Sequence, residues 1–456
     1  MTDTAQRAPS GGSGLDSYFK LSERGTNVAT EVRAGVATFL VMAYIIFVNP
    51  SILGAAGLDP GAVAAATALV AGALCIAMGV VANYPLAMAA GLGINGAVAF
   101  GLVLGSGLTP AGAMGVIVLE GIVVTILVVI GLREAIMDAV PTSLKYAIGV
   151  GIGLFILFIG FVNGGLIQQP PGDGPVPVQF IFPNSAGASL TLIGLAITII
   201  LYARKVTGAL VISIVLTTIV GLIMGVQSFP DTLAVSPDFS TLGEFDLGEV
   251  FTVLGTLTAL LTIFSFMLTD FFDTMGTATA IVEQAELTDE DGSIPDVGKL
   301  LFVDSIGAAL GGMAGVSSNT SYIESSAGVA EGGRSGLTAV VVGILFLLSI
   351  FLAPIAGLIP TQATAPVLIL VGFLMASLIK DIDFTDLEEG LPALLAIVLM
   401  PLTYSITVGI GAGFVVWVLI KAVLGKARQV PVLMWVVSAA FVVYFLQTLL
   451  GQTFSA

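Results

Sequence analysis

Two carboxylates interrupt an otherwise membrane-length apolar stretch, Leu261 to Gly276, which reads LTIFSFMLTDFFDTMG. Asp270 and Asp273 stand three residues apart, so on a helix they share one face. A charged side chain at the bilayer centre costs about 2.5–3.5 kcal/mol on the gentler insertion scales, and such acids are usually kept for substrate or proton handling. Two other places carry polar groups inside apolar surroundings. One is Tyr84-Pro85 followed by Gly91-Leu92-Gly93-Ile94-Asn95-Gly96. Its glycines let the backbone leave the helix, a half-helix N-terminus then presents free N–H groups, and Asn95 both donates and accepts. The other runs from Ser317 to Gly328, where hydroxyls and an extended turn lead into a short helix with Glu324 in its first turn, flanked by Tyr322 and Ser325. Irregular backbone at membrane depth is tolerated only where it lines a cavity or is buried in protein. Each feature has a plainer alternative: a buried structural acid pair, glycines as packing contacts, hydroxyls as helix caps, Tyr322 as packing.

The chain that must position these groups is a membrane protein. It has 456 residues, 57% hydrophobic and only 10% charged, against about 25% charged in a soluble domain. Its mean hydropathy is +1.08. A net charge of −16 repels phosphates and gives no footing for nucleic acid. Histidine is absent, so no imidazole ligates a metal and carboxylates must carry any proton. The lone cysteine, Cys75, forms no intrachain disulfide and no metal cluster; the simplest reading is a small apolar residue in a helix. No cofactor is expected. The 56 glycines point to close helix packing and broken helices.

The apolar stretches fall near 31–50, 62–83, 88–105, 110–132, 143–163, 187–203 and 207–226, then near 250–276, 299–315, 322–333, 335–357, 364–380, 390–404 and 406–424. That is fourteen segments, split seven plus seven, with a further apolar run at 431–450. The shortest candidates, 88–105 and 322–333, take third place in each half. Matched short, interrupted segments mark an inverted-repeat transporter with its site at the breaks. With the N-terminus inside, all 14 Lys and Arg, from Arg7 through Arg133 to Arg428, lie in inner segments. The outer loops near 51–61, 106–109, 164–186, 227–249, 316–321, 358–363 and 405 have none. So full a partition supports the count. The inner run 283–296 is acidic and reads as solvated linker. Residues 1–29 read as a cytoplasmic N-terminal segment with an interfacial stretch around Tyr18 and Phe19.

The run Tyr18-Phe19-Lys20-Leu21, Arg24-Gly25-Thr26, Glu31, Ala34-Gly35, Thr38-Phe39 and Met42 to Pro50 resembles the opening signature of the AzgA-like purine permeases, within the nucleobase–cation symporter family. Also similar are Gly91-Leu92-Gly93-Ile94-Asn95, Phe272-Asp273-Thr274-Met275-Gly276-Thr277, Thr320 to Ser325, and Met400 to Ile406. The resemblance covers nearly the whole chain. One departure is Ala90, where the subfamily usually has proline. The resemblance implies an all-α polytopic fold of fourteen segments with short strands before the half-helices of segments 3 and 10. It implies a core domain from 30–132 and 250–357, and a gate domain from 143–226 and 364–424, with 431–450 as an extra C-terminal segment. By motif, Asp273 and Glu324 occupy the family's acidic positions on segments 8 and 10, Asn95 is the polar residue of segment 3, and Asp270 is the extra acid of the AzgA-like branch.

The expectation is a secondary active transporter, not an enzyme. It would import purine bases (hypoxanthine, guanine or adenine) with protons rather than sodium, by elevator-like or rocking alternating access. It would sit in the cell (plasma or inner) membrane as a homodimer. Asp273, Glu324, Asn95, Gly93, Phe272, Ser325 and Tyr322 are the expected substrate contacts, and Asp270 with Asp273 the proton-coupling pair. Backbone N–H groups around Gly93–Asn95 and Ser325–Ser326 would serve as donors. The alternatives are another nucleobase, uracil or xanthine, or a small anion on the same fold.

Overall fold

The computed structural model describes residues 14–131, 139–170, 178–181, 185–228, 236–289 and 294–454. Arg7, Arg133, and parts of the 1–29, 164–186, 227–249 and 283–296 stretches lie outside the described residues. The protein is mostly helical. In chain order the first half has α1 Gly14–Phe19, α2 Val28–Met42, α3 Ile45–Gly54, α4 Pro60–Ala77, strand β1 Met88–Ala90, α5 Leu92–Gly96, α6 Pro110–Val129, α7 Thr142–Asn163, strands β2 Ile167–Gln168 and β3 Gln179–Phe180, α8 Ala186–Ala203 and α9 Ala209–Ile223. The second half has α10 Leu247–Leu254, α11 Thr256–Gln284, α12 Val297–Met313, strand β4 Asn319–Ser321, α13 Ser325–Ala330, α14 Gly336–Ser349, α15 Thr361–Ala376, α16 Leu387–Thr403, α17 Ile406–Val423 and α18 Val432–Phe454.

Local chemistry explains the helix starts. Asp59 accepts from the Ala62 N–H before Pro60, and Thr109 accepts from the Gly112 N–H before Pro110. An oxygen-bearing cap followed by proline in the first turn satisfies donors the helix leaves open. Among the described residues, nine helices are long and apolar enough to cross a membrane. Each of the fourteen apolar stretches coincides with a helix, although the two short ones are only partly helical. In 88–105, β1 and the short α5 run on into π-helical turns over Ala97–Gly105. In 322–333, only Ser325–Ala330 is α-helical.

Packing repeats itself between the two halves. α4 packs on α14 as α12 packs on α6, and α2 packs on α14 as α11 packs on α6. In the remaining helices, α8 packs on α15 as α16 packs on α7, and α8 packs on α9 as α16 packs on α17. α7 meets α15, and β1 meets β4, each element facing its own counterpart. Advancing every segment by seven exchanges the members of each pair, the signature of a duplicated unit closed on a two-fold axis. Paired glycines allow the closest approaches: a Cβ on Gly336 would lie 2.0 Å from the Gly79 carbonyl, and one on Gly372 would lie 2.4 Å from that of Gly153. Small residues at such crossings are how membrane helices gain van der Waals contact.

The strands meet in the middle of this body. β1 and β4 pair antiparallel with Met88 opposite Ser321, Ala89 opposite Thr320 and Ala90 opposite Asn319. The Gly91 N–H donates to Ser318 O and the Tyr322 N–H to Ala87 O. In oil, the outer edges of so short a ribbon need partners of their own. Cys75 supplies one: its Sγ accepts the Met88 N–H at 3.1 Å and donates to Met88 O at 3.3 Å. Its role is therefore more than apolar filling. Asp304 supplies the other, its Oδ1 accepting both the N–H and the hydroxyl of Ser321 at 3.0 Å.

The two ends of the bundle differ in chemistry. At one end Arg24 donates to the carbonyls of Asn83 and Arg334, Arg33 pairs with Glu331 at 3.0 Å, and the fully buried Glu31 accepts from the Arg334 and Thr338 N–H groups and the Thr338 hydroxyl. Glu31 thereby caps α14, the favourable place for a carboxylate. At the other end Glu249 accepts from Thr109, and Asp246 and Gly243 bond the backbone of Ala111 and Met313, with no basic residue in those contacts. The C-terminal helix α18 packs against α17 and α11, with Phe441 fully buried beside Gly411 and Phe414.

Candidate functional site

The crossing of β1 and β4 sets one wall of the site, and α11 the other. α11 is 29 residues long, about 43 Å at 1.5 Å per residue, so it runs past the crossing with residues to spare. Asp270 is buried, and its Oδ1 accepts the Ser318 hydroxyl at 3.1 Å while Oδ2 has no partner. Asp273, one turn on, is half-buried and lies in the field of Asp304 and Glu324. Their spacing puts them one turn apart, and Asp270 also has acids from two other helices as neighbours, Glu120 and Asp304.

Glu324 stands at the head of α13 and is half-buried. The Tyr44 hydroxyl donates to its Oε1 at 2.6 Å. The Tyr44 hydroxyl also lies in the field of Asp273, so Tyr44, Glu324 and Asp273 form one polar patch beside the crossing. Tyr322 flanks it but is tied down, its hydroxyl donating to Ala90 O and its N–H to Ala87 O. Ser325 is likewise engaged: its hydroxyl donates to Tyr322 O at 2.7 Å and accepts the Ala87 N–H at 2.9 Å, and its own N–H donates to Tyr322 O. The Ser326 N–H donates to Ile323 O. The backbone donors expected at Ser325–Ser326 are therefore spent inside the turn.

On the α5 side, the Asn95 N–H closes the first helical bond on Gly91 O. The N–H groups of Leu92, Gly93 and Ile94 precede that bond and lack an intrahelical acceptor. The fully buried Asn95 amide donates to Asn49 Oδ1 at 2.7 Å, and Asn49 donates to Thr67 at 2.8 Å and to Val316 O at 3.2 Å. Asn95 Oδ1 has no partner. Gly93 is held by packing, since a Cβ there would lie 2.1 Å from Ile152. Phe272 is half-buried, edge-on to Phe271 at 5.6 Å, with the Lys145 ammonium 5.9 Å from its ring. The ring of Phe272 thus has a cation beside it.

Tyr404 closes the end of α16 in a left-handed conformation, φ +51°. Its ring meets Phe100, Phe155 and Phe158 at 6.0, 5.7 and 5.4 Å. Gly276 is exposed.

Sequence reasoning overlooked Tyr44, Asn49, Glu120 and Asp304. Glu120 and Asp304 each stand alone in an apolar stretch, so the cost argument that singled out Asp270 applied to them equally. Tyr44 and Asn49 lay inside the opening run already noted.

A profile of the Permease family (Xan_ur_permease) matches residues 29–412. The chain belongs to that family. The permease is 41% identical to the adenine permease AdeQ of Escherichia coli over 430 residues, 94% of this chain and 95% of the relative. It is 39% identical to the guanine/hypoxanthine permease PbuG of Bacillus subtilis over 445 residues, 95% and 99% of the two chains. Among solved structures it resembles the transmembrane domain of the cyanobacterial bicarbonate transporter BicA, with TM-score 0.61 at 16% identity, covering 85% of this chain and 97% of that one. It also resembles SLC26A9, with TM-score 0.65 at 13% identity, covering 90% and 67%. At such identity the likeness concerns the fold. The permease is a multi-pass membrane protein.

Proposed function

We propose that the permease carries purine nucleobases (hypoxanthine, guanine or adenine) across the cell membrane, with protons moving in the same direction. The observation that carries this reading is the polar patch of Asp273, Glu324 and Tyr44 beside two broken segments. A purine is flat, nearly neutral and edged with N–H donors and ring acceptors. A carboxylate accepts two neighbouring N–H groups at once, so Glu324, oriented by Tyr44, reads one edge and Asp273 the other. The first-turn N–H groups of α5 and the free Asn95 Oδ1 supply the complementary donors and acceptor, and Phe272 faces the ring. Tyr322 and Ser325 hold the turn that presents Glu324. The names of the relatives, permeases for adenine and for guanine or hypoxanthine, support the same substrate class.

In this reading fourteen segments cross the membrane. Segments one to four and eight to eleven form a core, and five to seven and twelve to fourteen form a gate. The Arg24 end is cytoplasmic, in keeping with the basic residues gathered there. The half-exposed acids open towards that end while Tyr404 and its rings seal the other, and the core moves against the gate to expose the site alternately. A homodimer forms through gate helices. A small anion is disfavoured because the site faces its ligand with carboxylates, which repel anions.

Uptake of radiolabelled hypoxanthine, guanine, adenine and uracil into cells, with and without a protonophore, tests the proposal. Purine uptake abolished by the protonophore is expected. Preference for uracil, or accumulation indifferent to the protonophore, would overturn it.

A further inference from the structure

Three buried acids lie near enough to act on one another: Asp270 on α11, Asp304 on α12 and Glu120 on α6. They differ sharply in how the protein treats them. Asp304 accepts the N–H and hydroxyl of Ser321 on Oδ1 and the Thr274 hydroxyl on Oδ2 at 2.6 Å. Asp270 accepts one hydroxyl, from Ser318. Glu120 is fully buried, and neither of its oxygens has a hydrogen-bond partner. Donors aimed at a carboxylate favour its charged form, and a charged carboxylate in a dry interior without them is heavily penalised. Two acidic neighbours make a third charge there worse still. Of the three, Glu120 is the carboxyl least provided for as an anion and Asp304 the one best provided for.

We propose that Glu120 is the site that binds the coupled proton, standing apart from the purine and connected to it through Asp270. This rests on the proton-symport reading above. Asp270 links the two sites: its Oδ2 has no partner, Glu120, Asp304 and Asp273 all act on it, and Asp273 follows one turn later on the same helix. The elements packed on α6 carry Asp270, Asp273 and Glu283 on α11, Asp304 and Lys299 on α12, and Glu249 on α10; Lys299 pairs with Asp296 at the exposed start of α12, and Glu249 is engaged with Thr109 at the helix start. The step is a simple one. The Glu120 carboxylate takes a proton from one side of the membrane with the purine bound, and releases it to the other side after the core has moved.

The test uses purified permease in proteoliposomes, with Glu120→Gln as the shape-conserving variant. Wild type is expected to accumulate hypoxanthine under an imposed inward proton gradient. Glu120→Gln is expected to keep hypoxanthine counterflow while gradient-driven accumulation falls at least tenfold and loses its pH dependence. Accumulation and pH response equal to wild type would overturn the proposal. A wild type that moves hypoxanthine without any response to the gradient would instead sink the symport reading beneath it. If the variant fails to reach the membrane, labelling of wild type by a hydrophobic carbodiimide, mapped by mass spectrometry, decides. An adduct on Glu120 that fades as pH rises is expected. Labelling of Asp273 or Glu324 without Glu120 would count against it.

Discussion

The Tyr44 hydroxyl donates to Glu324 Oε1 at 2.6 Å, linking the first membrane segment to the broken tenth across 280 positions of sequence. The bond fixes the direction in which the carboxylate offers its oxygens. A hydrogen bond to a charged group contributes about 1.5–3 kcal/mol. Tyr44→Phe should therefore raise the apparent purine Kd by roughly tenfold to a hundredfold, measured by thermal stabilisation in detergent, with little change in the purine-free melting temperature. An unchanged Kd would show that Tyr44 does not orient the binding group.

Glu324→Ala should abolish purine uptake while surface labelling finds the protein in the membrane. Glu324→Gln keeps the volume but exchanges one acceptor oxygen for a donor, so it should lose at least about a hundredfold in uptake, the cost of mismatched buried polar groups. Normal uptake by either variant would remove Glu324 from the site.

Cys75 closes the open edge of β1 through both its sulfur lone pair and its thiol proton. Cys75→Ser offers the same donor and acceptor, and should melt within a degree or two of wild type. Cys75→Ala strands the Met88 N–H and C=O in a buried place, at a cost of about 1–3 kcal/mol, and should lower the melting temperature by a few degrees. Equal melting of the two variants would mean that the edge finds another partner.

Ala90→Pro should be tolerated. The bonds Gly91 to Ser318 and Tyr322 to Ala87 alternate along the ribbon, so the pair Ala90–Asn319 falls on a non-bonded rung. The Ala90 N–H points away from the ladder, and proline removes nothing the sheet uses. Uptake within about twofold of wild type is expected on that geometry; loss of folding would show that the N–H has a partner elsewhere.

Gly336→Ala should fail to accumulate in the membrane, because the added methyl would lie 2.0 Å from the Gly79 carbonyl. Backbone on both sides leaves nothing to swing aside. Gly298→Ala, with open space around it, is the matched control and should express normally.

Much of this was legible in the sequence. Asp270, Glu324 and the glycine-rich breaks announce themselves because charge and irregular backbone are costly in oil, and the two interrupted segments do pair at β1 and β4. What the sequence hid is directional. Spacing put Asp270 and Asp273 on one face, but not which acid on another helix each would meet; Glu120 and Asp304 arrive from α6 and α12 through long-range packing. Ser325 was expected to offer donors to a ligand, yet the Tyr322 turn engages them, and Ile152 packs where any side chain on Gly93 would stand. Neighbours so distant along the chain leave no periodic trace in either segment.

The ring of Tyr404 touches Phe155 and Phe158, both on α7, but Phe100 comes from the continuation of α5. On the motion proposed above, core parting from gate at this end would break one aromatic contact, worth about 0.5–1.5 kcal/mol. So shallow a latch biases the resting population only a few-fold, and the binding of a single flat cargo has ample energy to tip it the other way.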